Sequence, residues 1–263
     1  MTNDGTNEMT FWDHLEDLRK VLIRSFIFIV LVALALFAFM KELFDFVILA
    51  PTRNDFFLYE WMNRMSGEVP LFPDFCVGPF QVKIININLS SQFFVHMSTS
   101  FWLALVISFP FLIYQIWLFV RPALYDHERK NAGAAFFFGN LLFFIGVAVG
   151  YVLVFPLTLR FLAGYQLSTF IENSVSLDSY MDSFLMLCFI MGLVFELPLL
   201  SWLLSQIGIL KRSFFTKFRR HAIVIILIAA AFITPSSDPF TLMVVFLPIY
   251  MLWEISAMVV KKN

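Results

Sequence analysis

The chain has 263 residues, of which 60% are hydrophobic and only 14% charged, and its mean hydropathy is +0.82. Soluble domains hold about 25% charged residues, so there is too little polar side chain here to cover a water-soluble globule. A formal net charge of −1 shows none of the basic excess that nucleic-acid binding requires. The solvent that fits this composition is lipid, and the fold class expected is an all-α integral membrane protein.

The first ten residues are polar and acidic, and the apolar run that follows is longer than the core of a cleavable signal. It is therefore read as an uncleaved span. Ahead of it, Phe11, Leu15, Leu18 and Leu22 recur at three- and four-residue steps, which predicts an amphipathic helix running into the span. Asp13, Glu16, Asp17 and Lys20 occupy its other faces.

Six transmembrane helices are expected near residues 21–40, 93–119, 132–155, 183–207, 222–233 and 240–260. At 1.5 Å per residue, a hydrocarbon core of about 30 Å needs about 20 residues. The first four segments suffice. The fifth reaches only about 18 Å and ends in Thr234-Pro235-Ser236-Ser237-Asp238-Pro239, a strong turn signal. The sixth starts at once and carries Pro248. These last two form a short hairpin that crosses, with Lys261 and Lys262 anchoring its end; a re-entrant pair is the alternative.

Basic residues set the orientation. Arg19, Lys20 and Arg24 precede the first span, Arg121, Arg129 and Lys130 follow the second, and Lys211, Arg212, Lys217, Arg219 and Arg220 follow the fourth. The opposite side holds Lys41, Arg53, Arg64, Lys83 and Arg160, spread over longer loops. Both termini are thus expected to be cytoplasmic. Residues 41–92 form an external cap on a single membrane domain covering 1–263. Within the cap, Phe44, Val47, Ile48 and Leu49 predict a short amphipathic helix stopped at Ala50-Pro51, and 82–89 alternates as a short strand would.

Three places carry chemistry. Glu196 lies inside the fourth apolar run, where a charge costs at least about 2.5–3.5 kcal/mol, and Pro198 loosens the helix two residues later. It is either a protonated side chain bonded to a neighbouring helix or the polar point of a wet cavity. The loop 119–130 sets Asp126 and Glu128 beside Arg121, Arg129 and Lys130; positive-inside charge explains the cations but not the carboxylates, which can accept bidentate bonds from arginines on a ligand. The third place is the N-terminal amphipathic segment. Gln115, polar in the second span, reads as helix-packing glue.

Enzyme signatures are missing: there is no HExxH, GxSxG, GxGD or P-loop. His14, His96, His127 and His221 have no ligand spacing, and Cys76 and Cys188 have neither knuckle nor CxxC spacing. No metal, cofactor or catalytic residue is expected.

At these residues the chain resembles the TatC family, the multi-spanning core subunit of the twin-arginine protein translocase. The carriers are His14, Leu15, Asp17, Leu18 and Arg19 at the start, Ala50-Pro51 outside, and Tyr114-Gln115-Ile116-Trp117. To these add Pro122-Ala123-Leu124-Tyr125 with Glu128-Arg129, then Phe195-Glu196 with Pro198, and Thr234-Pro235 with Asp238. The likeness runs from Phe11 to about Val260.

The resemblance implies a Sec-independent translocase subunit in the bacterial inner membrane. It would recognise twin-arginine signal peptides of folded proteins and export them by proton-motive force. Its partners would be TatA-type and TatB-type single-span proteins, in an oligomeric complex. It implies signal-peptide binding by Glu128 and Asp17, with His14, Arg19, Leu124 and Tyr125 alongside. Glu196, Gln115 and Pro198 would act within the membrane, Thr234 and Asp238 would dock a partner, and Pro51 and Pro122 would be structural. Two departures stand out: Asp17 replaces a common Glu, and Leu242 stands where a polar residue is common. The main rival is a proton-coupled small-solute secondary transporter, which should show inverted repeats with paired broken helices; no matching halves are found.

Overall fold

The computed structural model describes residues 11–66, 82–120, 126–168, 170, 173–206, 208–234, 236 and 238–260, the side chains of 11, 13, 14, 65, 66, 120, 126–132, 134 and 135 excepted. It is a helical assembly. Helix α1 (Phe11–Leu43) joins the amphipathic segment and the first apolar run without a break, since no Gly or Pro interrupts them. At about 50 Å it is longer than the hydrocarbon core. It packs chiefly on the antiparallel helix α3 (Ser91–Val120), through stacked pairs Phe28–Phe111 and Phe37–His96.

After α1 the structure departs from expectation. Instead of a separate amphipathic helix at Phe44, Val47, Ile48 and Leu49, the chain continues as a π-helical turn, Phe44–Ile48, and a 3-10 turn, Ala50–Thr52. Nothing between Leu43 and Ala50 breaks a helix, so the backbone widens before Pro51 stops it. Helix α2 (Phe57–Ser66), unforeseen from sequence, buries Leu58, Tyr59 and Met62 and exposes Phe57 and Trp61. Its apolar face was hidden because aromatic residues stand on both sides. The strand expected over 82–89 shrinks to β1 (Ile84–Ile85), parallel to β2 (Val175–Ser176).

Wider turns leave carbonyls out of the regular ladder, and three tyrosines gather them. Tyr151 donates to Val47 O at 2.8 Å, Tyr180 to Ile48 O, and Tyr59 to Pro51 O at 2.9 Å, with Pro156 O at 3.2 Å sharing that proton. The Arg160 guanidinium lies 4.8 Å from the centre of the Tyr59 ring. Three separate parts of the chain thereby hold the turn at the cap end.

The third apolar run is longer than expected. Helix α4 (Asp126–Val149) passes through a π turn, Gly150–Val154, into α5 (Phe155–Gly164). Pro156 does not end it at 155, because it sits in the first turn of α5, where a missing N–H costs little. The fourth run starts at α6 (Leu177–Val194), six residues before the expected 183, and is capped by Ser176, whose hydroxyl oxygen accepts from Ser179 N. It resumes as α7 (Leu197–Gln206) after a break. Helices α4 and α6 meet at glycines: a Cβ on Gly146 would stand 2.6 Å from Met191 O, and one on Gly192 2.8 Å from the Phe143 ring.

Helix α8 (Arg212–Lys217) precedes the final hairpin, α9 (Arg219–Ile233) and α10 (Pro239–Val259). The fifth run thus begins three residues before the expected 222, yet at about 22 Å it is still short. Among the described residues, five helical stretches are long and apolar enough to cross a membrane, and α9 is not one of them. The hairpin closes at its far end through Arg219 Nη2, which donates to Glu254 Oε2 at 2.6 Å, and Tyr250, which donates to Glu254 Oε1 at 3.1 Å.

Candidate functional site

Two ends and a middle can be compared. The basic end, which carries Arg19, Lys20 and Lys211, opens on the first turns of α1. There Lys20 Nζ lies 3.0 Å from Glu16 Oε1 and 3.8 Å from Asp17 Oδ1, all three side chains being about half exposed. Glu16 holds the ammonium, and Asp17 is only loosely engaged. Arg19 makes no ion pair among the described residues. Glu128 falls in the first turn of α4, but its side chain and that of His14 lie outside the described residues, as do Pro122, Leu124 and Tyr125.

The middle is built on the break between α6 and α7. Phe195 N still reaches Met191 O, but Glu196 N turns to Leu193 O at 3.1 Å, and Pro198 has no N–H to continue the ladder. Leu200 N then restarts the helix on Glu196 O at 2.9 Å. Counting the rise back from Gln206 puts Glu196 about 15 Å from the end of α7. It is 8% exposed, and Oε1 has no hydrogen-bond partner among the described residues.

Helix α4 makes room for this carboxylate with Gly139. A Cβ there would stand 3.2 Å from Glu196 Oε2 and 2.5 Å from Leu199 Cδ2. The next residue, Asn140, donates to Phe136 O at 3.0 Å but leaves its own buried Oδ1 without a donor. Gln115 on α3 is buried too, and its Oε1 has no hydrogen-bond partner among the described residues. Buried acceptor oxygens without donors are rare in native structures and are satisfied by water or by a donor that arrives with a ligand.

At the turn of the last hairpin, Thr234 closes α9 and is buried, its hydroxyl unpartnered among the described residues. Asp238, four residues on, is occupied as the N-cap of α10. Its Oδ1 accepts from Thr241 N at 2.9 Å, and Oδ2 accepts from the hydroxyls of Ser236, at 2.6 Å, and Thr241. Burial alone would raise its pKa, but these hydrogen bonds and one from Phe240 N hold the carboxyl below its ordinary value. Pro51 is buried, with its carbonyl bonded by Tyr59.

Sequence reasoning missed Gly139, Asn140, Glu254 and the three cap tyrosines. Asn140 and Glu254 were visible as polar residues inside apolar runs. Gly139 had no such signal, because its role is the space it leaves. Among the described residues no group of three His, Cys, Asp or Glu side chains can hold a metal ion.

Comparison with known proteins agrees along the whole chain. Residues 13–248 match the family described as Sec-independent protein translocase protein (TatC). The TatC protein of Blattabacterium sp. subsp. Periplaneta americana is 31% identical over 95% of this chain and 94% of its own length. That of Helicobacter pylori strain 26695 is 32% identical over 94% of this chain and 86% of its own. A crystal structure of a protein described as twin arginine translocase receptor TatC superposes with a TM-score of 0.72 at 28% identity, covering 94% of this chain and 97% of that one. These relatives are protein translocase subunits rather than solute transporters. A family match over most of its length, with relatives above 30% identity covered nearly end to end, places the chain: it belongs to the TatC family of Sec-independent protein translocase proteins.

Proposed function

We propose that this chain is the receptor subunit of a twin-arginine translocase. It binds the signal peptides of folded proteins at the basic, cytoplasmic face and exports the cargo with proton-motive force and TatA-type and TatB-type single-span partners. The reading sets all six apolar runs across the bacterial inner membrane as one domain with both termini cytoplasmic, α9 crossing where the bilayer thins around it. Residues 41–92 then form the external cap. The orientation follows from the basic loops.

Glu128 is the main carboxylate of the recognition step, and Asp17 is the one whose surroundings are described. It sits on a helix that projects beyond the hydrocarbon core, and its lysine stands at 3.8 Å, bonded instead to Glu16. A guanidinium on an incoming peptide can take Asp17 with two parallel N–H bonds that an ammonium cannot form. Glu128, in the first turn of α4, supplies the other carboxylate. Glu196 acts later, as the polar point where the inserting peptide crosses the wall. The hairpin tip at Thr234 is where a partner helix docks, and the Asp238 N-cap shapes that turn.

The test is a photoreactive signal peptide with paired arginines. Glu128→Ala should abolish its crosslink to the basic end, and Asp17→Asn should weaken it by about tenfold, the loss expected for one charge-assisted contact. Undiminished crosslinking in both variants would contradict the assignment.

A further inference from the structure

At the cap end a cavity of about 540 Å³ opens between the last turns of α1, the first turns of α3 and strand β1. Its polar lining is Lys41, Asp45, Asn86, Gln92 and His96; Met40 and Val95, both buried, form part of its floor. Its depth is fixed by α1. Lys41 follows Lys20 by twenty-one positions, a rise of roughly 32 Å, which is the thickness of the hydrocarbon core. With Lys20 at one surface, Lys41 reaches the headgroups of the other.

Arg53 Nη2 donates to the backbone oxygen of Asp45 at 3.1 Å. Neither Lys41 nor Asp45 makes an ion pair among the described residues. His96 Nε2 donates to Phe37 O at 2.9 Å, so the neutral ring keeps Nδ1 as an acceptor. The carboxamides of Asn86 and Gln92 add N–H donors. Phe37, one turn deeper on α1, and Met97, next to His96, are exposed and give an apolar path downward from the cavity. One cation, one anion and an apolar exit match a zwitterion with acyl chains. A free phosphate or an anionic headgroup would instead leave Asp45 facing like charge.

We propose that this cavity binds a glycerophospholipid with a primary-amine headgroup. The phosphate is held by Lys41 and the carboxamides, the ammonium by Asp45 and His96, and the acyl chains descend past Phe37 and Met97. Such a lipid would fix the junction of α1 and the cap in the outer leaflet.

Native mass spectrometry of the full chain after reconstitution tests this. The nanodiscs would contain phosphatidylcholine with either phosphatidylethanolamine or phosphatidylglycerol. The wild type should retain phosphatidylethanolamine about tenfold over the other two, because only it offers N–H donors beside a phosphate and no net charge. Lys41→Gln and Asp45→Asn should each lower that retention about tenfold. Arg64→Gln, a charge change at an exposed position of α2, should not alter it. Equal retention of phosphatidylcholine or phosphatidylglycerol, no retained lipid, loss in only one or neither cavity variant, or the same loss in Arg64→Gln would each overturn the proposal.

Discussion

The cap turn and the middle of the membrane treat their polar atoms in opposite ways. In the cap turn, Tyr59, Tyr151 and Tyr180 close on the carbonyls of Pro51, Val47 and Ile48. In the apolar middle, Glu196, Asn140 and Gln115 keep buried oxygens that no donor meets among the described residues. The first arrangement stabilises a fold and has no further capacity. The second costs stability, and oxygens of this kind are met by water or by a donor that arrives with a ligand. Under the proposed function, the cap turn supplies stability and the break between α6 and α7 supplies the polar step of transport.

This contrast can be broken most sharply at Glu196. Glu196→Gln is expected to lower export by about tenfold or more, equivalent to ~1.4 kcal/mol, while thermal stability is little changed, since the amide keeps the size of the carboxyl and Oε1 has no hydrogen bond to lose among the described residues. Normal export in a proteoliposome assay would remove the functional reading of the middle. The cap should answer the other way. Tyr180→Phe leaves Ile48 O without its donor and should cost about 1–3 kcal/mol of unfolding free energy. Signal-peptide binding by the folded protein should stay as in the wild type. A Tyr180→Phe protein that unfolds like the wild type would show that the phenol does not hold the turn.

The smallest effect concerns the hairpin tip. Asp238→Ala should cost about 0.5–2 kcal/mol, as for other N-caps. Because the folded carboxyl is held below its ordinary value, its contribution is complete above the ordinary carboxylate range. It is lost as pH falls through the depressed value. Acid unfolding of the wild type and Asp238→Ala should therefore converge at low pH and diverge above it; a constant difference across that range would assign the effect to packing.

The large features of this fold were legible as runs of apolar residues. Helices α3 and α10 fall within two residues of their expected ends, because their boundaries coincide with changes in polarity. The break at Glu196 was legible from Pro198, which acts locally on the ladder. What was not legible depends on partners distant in sequence. The π turn at Phe44–Ile48 is held by phenols from far along the chain, and the ten residues of α2 mix aromatic side chains on both faces. At the site, Glu196 was evident as a charge in an apolar run, whereas Gly139 is significant only once α4 is laid against it. The resemblance to the TatC family was legible too, since its motifs are short and ordered along the chain.

The central claim is that the basic end distinguishes arginine pairs from other cations. Its most direct test is binding of two peptides to the reconstituted wild-type chain, identical except that one carries paired arginines and the other paired lysines. The arginine peptide should bind at least about tenfold more tightly, because two fork-shaped donors are lost in the other. Equal affinity for the two peptides would contradict the account.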